Sequence, residues 1–262
     1  KTRFAPDYSY IFDVNKENTY DLFSVQFASG NQGLGSSLAG YVTEGSGGVM
    51  IPEWFYSGYH LQGQDFRVDT LLVNDMKKLG DKRLETSVTE GYWDTTEHGF
   101  TPEDSAKHYK ERCMMIKYLV KDNTNKTIKA WNDYPLNFPI LRPADAYLLY
   151  AEALINNNKA SQAKEWIDAI RQRADLSPLD HVPTMDDVMD ERRYEFIGEG
   201  KRYFDLVRMG KDTFVSTLKN FSDHYEHVTK MGANNPSEKD LLLPIPLTVM
   251  NIQASWTNNP GY

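Results

Sequence analysis

Cysteine is almost absent from this chain, since Cys113 is the only one among its 262 residues. A single cysteine excludes an intramolecular disulfide and a metal site built from several thiolates. The setting Arg112-Cys113-Met114-Met115 is typical of a small apolar side chain buried ahead of a strand. Cys113 is therefore predicted to be structural.

The chain also lacks a basic stripe and any long apolar run. Its formal net charge is -8, which argues against broad nucleic-acid binding because such binding needs clustered Lys and Arg. No segment approaches the roughly 18 apolar residues of a membrane helix. The sequence begins at Lys1 without an initiator Met or a signal peptide, so we expect any targeting segment to lie upstream.

Motifs for metal, nucleotide and nucleophile chemistry are missing as well. The Gly-rich segment 30–37 lacks the Gly-Lys-Ser/Thr ending of a phosphate-binding loop, and no Gly-x-Ser-x-Gly occurs. His224 and His227 do not form a His-Glu-x-x-His zinc pattern. Asp186 and Asp187 lack the central Gly of a calcium loop and fit a helix N-terminus better. The sequence predicts no metal and no cofactor.

The composition is globular, with 40% hydrophobic, 25% charged and 13% aromatic residues. Two halves differ in character. Residues 1–130 are predicted to be loop-rich and aromatic, with strands or extended segments at Ile11 to Val14 and Asp21 to Phe27 and a further short strand at Met114 to Val120. Residues 131–262 are predicted to form a helical scaffold with an extended tail. The expected fold class is mainly α, with long irregular loops and a few short strands.

Helical signals begin near residue 142. Pro143 suits the first position of a helix that ends at the asparagines 156–158. A second helix, 160–174, carries an apolar stripe and would pack antiparallel on the first, as in a tetratricopeptide-type hairpin. Thr184 begins a third helix, with Asp187 as its capping partner.

Two further features follow the third helix. Gly198 and Gly200 predict a break before another helix at 203–209. The proline-containing segment 241–246 reads as an extended tail.

A run of alternating charges, residues 191–208, carries the strongest signal. Its carboxylates could form an acid–base pair of a glycosidase, a metal site or a structural ion network. Basic residues interleave with them, and a nearby Arg lowers the pKa of a carboxylate, which makes it a poor general acid. We therefore predict a structural ion network formed by Glu191, Arg192, Glu195, Glu199, Arg202, Asp205 and Arg208.

Aromatic residues in the first half offer a different chemistry. Trp and Tyr rings stack on the C–H faces of sugars, while amides and acids bond to the hydroxyls. Many such rings instead pack beneath loops, because each carries a large apolar area. The ligand-binding candidates are Tyr41, Trp54, Tyr56, Tyr59, Tyr92 and Trp93.

Several segments together resemble the SusD/RagB family of surface glycan-binding lipoproteins of Bacteroidetes. Their order and spacing carry the resemblance more than any one motif. The segments are Asp81-Lys82-Arg83, residues 139–153, the run 191–208, and Leu243-Pro244-Ile245-Pro246 followed by Asn259-Pro260-Gly261-Tyr262, with 21–27 also similar. Family members are usually about twice this length, so the chain resembles the C-terminal portion, and the N-terminal half with its lipid-bearing Cys is absent.

The resemblance implies a non-enzymatic function. The protein would bind oligosaccharides at the outer face of the outer membrane, anchored by a lipid on the absent N-terminal segment. It would deliver them to a SusC-like TonB-dependent transporter. A glycoside hydrolase using paired carboxylates and a protein-interaction scaffold without a ligand stay open as alternatives.

One structural expectation follows from the missing half. A single helical hairpin cannot bury both of its apolar faces alone. We expect Tyr147, Leu148 and Leu154 to be covered by another chain or domain, or else to be exposed.

Overall fold

The computed structural model describes residues 4–39, 67–90, 113–119, 130, 132–229, 236–253 and 255–262. By internal contacts the chain divides into two compact units, residues 1–199 and 200–262. The boundary lies at the glycine pair Gly198 and Gly200, which follows the third predicted helix. The fold is mainly helical, as the sequence predicts.

The described part of the first unit contains five α-helices and five short strands. The helices are α1 (Thr70–Leu79), α2 (Arg83–Ser87), α3 (Pro143–Asn156), α4 (Ala160–Arg173) and α5 (Met185–Glu195). The strands are β1 (Phe23–Val25), β2 (Arg67–Val68), β3 (Val88–Glu90), β4 (Cys113–Met115) and β5 (Phe138–Leu141). Helices α1 and α2 lie in the half that was predicted to be loop-rich.

The strands form two small antiparallel sheets. β1 pairs with β5, with Ser24 opposite Pro139, while β4 lies between β2 and β3. The strand predicted at 21–27 is therefore present over Phe23–Val25. The strand predicted from Met114 to Val120 is shorter, because the described chain turns at Lys117 and Tyr118 after Cys113–Met115.

The strand predicted at Ile11 to Val14 is wrong. Two 3-10 helices, Tyr8–Phe12 and Val14–Lys16, occupy this segment. Asp7 accepts a hydrogen bond from the Ser9 N–H at 2.8 Å, and Asp13 accepts one from the Asn15 N–H at 2.9 Å. These local side-chain bonds favour tight turns over an extended strand.

Helices α3 and α4 form the predicted hairpin, and its ends match the sequence signals. Pro143 begins α3, and the helix ends at Asn156. Ala151 and Ala163 are fully buried between the helices, as close helix packing requires. Thr184 caps α5 in a capping box with Asp187, which confirms that prediction.

The expectation that the hairpin needs cover from another chain is wrong. Leu148 is 0% exposed and Leu154 is 6% exposed within this chain alone. Tyr147 is partly buried, and the Phe4 ring stacks on it at 5.1 Å between centroids. The N-terminal segment and α5 supply the cover, because they pack beside the hairpin in the same core cluster. Leu149 and Tyr150, on the outer face, are exposed.

A second core joins the N-terminal 3-10 helices, α1 and the three-stranded sheet. Tyr8, Phe12, Met76 and Tyr118 are among its buried members. Tyr118 packs edge-on against Phe12 at 5.8 Å. This core holds the start of the chain against the end of α5 and the turn that follows it, since Tyr194 and Ile197 also belong to it.

The second unit contains α6 (Arg202–Arg208), α7 (Lys211–Thr229), a 3-10 helix (Glu238–Leu241) and α8 (Leu247–Met250). The sequence analysis predicted only the first of these. Tyr203 packs on Phe214 at 5.8 Å and donates a 2.8 Å hydrogen bond to the Leu241 carbonyl. Among the helices that the structure describes, none is long and apolar enough to cross a membrane.

Candidate functional site

The carboxylates of the charged run lie side by side in the interior. Glu191 and Glu195 occupy successive turns of α5, and Glu199 follows in the turn after the helix. Their side chains are at most 2% exposed. Three buried carboxylates at this spacing need cationic partners, because an isolated buried charge is costly.

Arg83 supplies the first partner. Its Nη1 donates to Glu191 Oε1 at 2.6 Å and to Glu195 Oε2 at 3.1 Å. Its Nε and Nη2 bond to Asp81, the residue that precedes α2 by two positions. The Arg83 side chain is fully buried, so the ion pair joins α2 to α5 without solvent screening.

Arg142, at the start of α3, supplies the second partner. Its Nη1 donates to Glu195 Oε1 at 2.7 Å, and its Nε donates to Glu199 Oε2 at 2.7 Å. Lys117 Nζ reaches Glu199 Oε1 at 2.8 Å from the turn after β4. Arg173 at the end of α4 also donates to Glu195. The partners therefore come from four separate segments.

The pKa values of two of these carboxylates are shifted in opposite directions. Burial works against the charge of Glu195, but three guanidinium groups outweigh it and hold the pKa of Glu195 well below its ordinary value. Burial dominates at Glu191 and raises its pKa despite Arg83. Neighbouring arginines lower the pKa of both glutamates, as expected, but at Glu191 burial outweighs them and the net shift is upward.

Two further ion pairs involve the remaining residues of the predicted network. Arg192 Nη1 pairs with Asp145 Oδ1 at 2.8 Å, and both side chains are buried. Arg202, Asp205 and Arg208 belong to the second unit, where Arg208 donates to Asp205 at 2.8 Å. The structure therefore brings the three glutamates together with basic residues that the prediction did not include.

This cluster stabilises the scaffold and offers no surface to a substrate. The side chains that would act as acid and base are buried and bonded to arginine or lysine. Within the described ranges, no group of three or more His, Cys, Asp or Glu side chains could hold a metal ion. The charged run therefore explains how α2, α3, α4 and α5 are joined.

A cleft open to solvent lies elsewhere in the first unit, beside the β1–β5 ribbon. It occupies about 300 Å³, including space open to solvent. The 3-10 helices and the loop that follows them form its other walls. Its principal polar and aromatic lining residues are Tyr10, Lys16, Glu17, Tyr20, Asp21 and Asn137.

The structure does not test the predicted ligand-binding aromatics. Tyr41, Trp54, Tyr56, Tyr59, Tyr92 and Trp93 all lie outside the described residues, so their role stays a prediction. The cleft residues Tyr10 and Tyr20 were not among them. Each tyrosine is close in sequence to acids and amides, but the prediction nearby was only a strand or extended segment at Ile11 to Val14, and neither tyrosine was assigned a binding role.

Comparison with known proteins identifies the family. The sequence profile of the SusD family matches residues 9–262. The chain belongs to the SusD family. Among the relatives of this SusD-family chain, one is named a starch-binding protein and others are named SusD-like proteins. The starch-binding protein SusD of Bacteroides thetaiotaomicron is 32% identical over 162 residues, which cover 61% of this chain and 28% of that protein.

Solved structures agree on the fold. The surface glycan-binding protein A of Bacteroides fluxus has a TM-score of 0.73 at 23% identity, over 100% of this chain and 55% of that chain. The corresponding protein of Bacteroides thetaiotaomicron, solved with laminarihexaose, has a TM-score of 0.70 at 22% identity and coverage of 98% and 56%. The chain therefore spans about half the length of these solved structures.

Proposed function

We propose that this SusD-family chain is part of a protein that binds oligosaccharides and does not hydrolyse them. The observation that carries the proposal is family membership together with the names of the relatives. One relative is a starch-binding protein, and another was solved with a bound glucan hexasaccharide. A shared fold alone would not support an inference of sugar binding, because one fold can have many functions.

The buried ion network supports the non-catalytic part of the proposal. A glycosidase needs two carboxyl groups that face one sugar-binding cleft, one of them protonated at working pH. Glu191 and Glu195 share a guanidinium donor and are shielded from solvent. They hold helices together and cannot reach a glycosidic bond.

The protein acts at the outer face of the outer membrane, held by a lipid anchor on another segment. It passes its ligand to a SusC-like TonB-dependent transporter. The family resemblance supports both statements. Aromatic side chains such as Trp54 and Tyr56 stack on the sugar rings, because a flat apolar ring matches the C–H face of a sugar while its edges stay hydrated.

A calorimetric screen with starch, laminarin and other oligosaccharides tests ligand binding. We expect one glycan class to bind and Trp54→Ala to weaken that binding at least about tenfold, the loss expected for an aromatic anchor. Trp256→Ala is the matched control, since Trp256 is 51% exposed in the second unit. Absence of binding by every glycan favours the protein-interaction scaffold.

An assay for new reducing ends tests the enzymatic alternative. We expect none after prolonged incubation with each glycan that binds. Turnover that disappears in Glu191→Gln, with folding intact, would overturn the proposal.

Delivery to a transporter is tested separately. The full-length protein is co-expressed with the SusC-like protein from its own gene neighbourhood and extracted in detergent. We expect the two to co-purify and membrane fractionation to place both in the outer membrane. Recovery of the full-length protein as a free periplasmic species would contradict this part.

A further inference from the structure

The cleft beside the β1–β5 ribbon has pre-organised walls. The Asn137 N–H donates to Glu17 Oε1 at 2.7 Å, which fixes one oxygen of that carboxylate. Asn137 is itself held, since its Oδ1 accepts from the Phe27 N–H at 2.7 Å and its Nδ2 donates to Gln26 at 3.0 Å. Ser24 and Pro139, which line the cleft, are partners in the sheet register. The walls therefore need little ordering when a ligand binds.

Several polar groups at this cleft make no hydrogen bond to the part of the chain that the structure describes. Among the described residues, the hydroxyls of Tyr10 and Tyr20, the Asp21 carboxylate and the second oxygen of Glu17 make no hydrogen bond. Together they present two hydroxyls that donate or accept and two carboxylates that accept. A ligand with several adjacent hydroxyl groups satisfies this set, whereas an apolar ligand leaves it unpaired.

The two tyrosines add an aromatic surface. Their ring centroids are 6.2 Å apart, and the planes are tilted by 33°. Lys16 Nζ lies 3.6 Å from the Tyr10 centroid and covers one face of that ring. The Tyr20 ring is half-buried and carries no such cation among the described residues, so it offers the better stacking face.

The charge of the cleft restricts the ligand class. Glu17 and Asp21 are acidic, and Lys16, the one cation among the described lining residues, is paired with Asp13 at 2.6 Å. Burial and the nearby Asp21 raise the pKa of Glu17, which is the response of a carboxyl group in an already negative setting. An anionic sugar would meet uncompensated like charge here.

We propose that the cleft lined by Tyr10, Glu17, Tyr20 and Asp21 binds one neutral sugar residue of the glycan. The cleft is open to solvent, so one sugar residue can lie against its lining while the rest of the glycan stays in water. Uronic acids and sulfated sugars are excluded by the two carboxylates. The inference rests on the proposed function and names the substrate class.

Tyrosine-selective NMR locates the ligand directly. The full chain is labelled with carbon-13 in its tyrosine rings, and the signals of Tyr10 and Tyr20 are assigned with the Tyr→Phe variants. The probes are laminarihexaose, maltohexaose, xylohexaose and mannohexaose as neutral glycans and hexagalacturonate as the acidic one. We expect both signals to shift and saturate with a neutral probe and to stay unchanged with hexagalacturonate.

Variants test the polar contacts. Asp21→Asn keeps the shape of the side chain, and we expect it to raise the half-saturating concentration at both signals about tenfold, as for a lost hydrogen bond to a charged group. Glu165→Gln is the control, because it makes the same charge change on an exposed position of α4. Unchanged thermal unfolding of Asp21→Asn shows that the fold is intact.

The outcomes separate this inference from the proposed function. If calorimetry detects binding while the Tyr10 and Tyr20 signals stay still, the cleft proposal is overturned and the proposed function stands. Equal shifts with hexagalacturonate overturn the neutral-sugar assignment. If no probe binds anywhere, both proposals fail together.

Discussion

Replacing Glu195 by Gln removes the charge on which three guanidinium groups converge. Arg83, Arg142 and Arg173 all donate to this carboxylate, which is 0% exposed. In Glu195→Gln the three cations surround a neutral amide whose NH₂ group cannot accept their hydrogen bonds. Because the change leaves buried positive charge uncompensated, we expect a large loss of stability.

The magnitude follows from the cost of breaking a buried ion pair. Removing one partner typically costs about 3–5 kcal/mol. Since 1 kcal/mol lowers Tm by about 2–4 °C in a domain of 150–250 residues, the expected decrease is roughly 6–20 °C.

Glu191→Gln is the matched control one helical turn earlier. The side chain has the same length and is also buried, but its carboxylate receives a short bond from Arg83 alone and a 3.5 Å contact from Arg171. Burial raises the pKa of Glu191, so its ionised form opposes folding at neutral pH. An amide oxygen can still accept from Arg83, and we expect a cost below about 1.5 kcal/mol.

The pH dependence of stability in the two variants shows whether the charge of each glutamate is the cause of the stability change. The pKa of Glu195 is lower in the folded than in the unfolded state, so its stabilisation is present above the unfolded pKa and is lost as the pH falls through the folded pKa. For Glu191 the folded pKa is the higher one, so its stabilisation is present below the unfolded pKa and is lost as the pH rises through the folded pKa.

Guanidinium denaturation followed by circular dichroism between about pH 3.5 and pH 7 spans the ordinary glutamate pKa of about 4.3. The cost of Glu195→Gln should shrink towards low pH, and the cost of Glu191→Gln should shrink towards high pH. Equal costs at pH 7, or slopes of the same sign, would refute the reasoning.

Three further predictions concern single residues. Burial raises the pKa of Cys113 to about 12. We therefore expect its thiol to resist a disulfide reagent at pH 8 in the native protein and to react on unfolding, as measured by the absorbance of the released reagent thiolate. Fast labelling of the native protein would contradict this. Gly198 has a φ of 70°, and a Cβ there would overlap the Met115 side chain, so Gly198→Ala should cost more than about 1 kcal/mol in a denaturation curve. It should also cost more than Gly200→Ala, where φ is 72° but no atom is close. Thr184→Ala should cost about 1 kcal/mol and speed hydrogen exchange in the first turn of α5, and unchanged exchange would speak against the cap.

Local features of the fold could be predicted because their causes lie within a few residues. Pro143 begins α3, Thr184 caps α5, and Gly198 adopts the left-handed conformation in the turn that follows α5. In each case the deciding interaction is between backbone and a neighbouring side chain. The segment Ile11 to Val14 was mispredicted because Asp7 and Asp13 each accept a hydrogen bond from the backbone N–H two residues further on. The apolar pattern of the segment does not reveal these short-range bonds.

Longer-range features could not be predicted in this way. The helix α7 (Lys211–Thr229) was missed, although Phe214 is buried and packs on Tyr203. The cleft was missed because it needs Tyr10 and Tyr20 to lie beside Asn137, more than 100 positions further along the chain. Nothing in either segment alone shows that they meet.

The charged run, residues 191–208, shows which features depend on the sequence alone and which depend on the tertiary structure. The sequence alone determined that Glu191, Glu195 and Glu199 share one side of a helix and its following turn, because their spacing follows the helical period. Only the tertiary structure decided their partners, since Arg83 is 108 positions from Glu191 and Arg142 is 57 from Glu199. It also decided that Glu195 holds its charge while burial raises the pKa of Glu191. The strength of a charge interaction depends on distance and solvent exclusion, and both are set by which distant segments pack together.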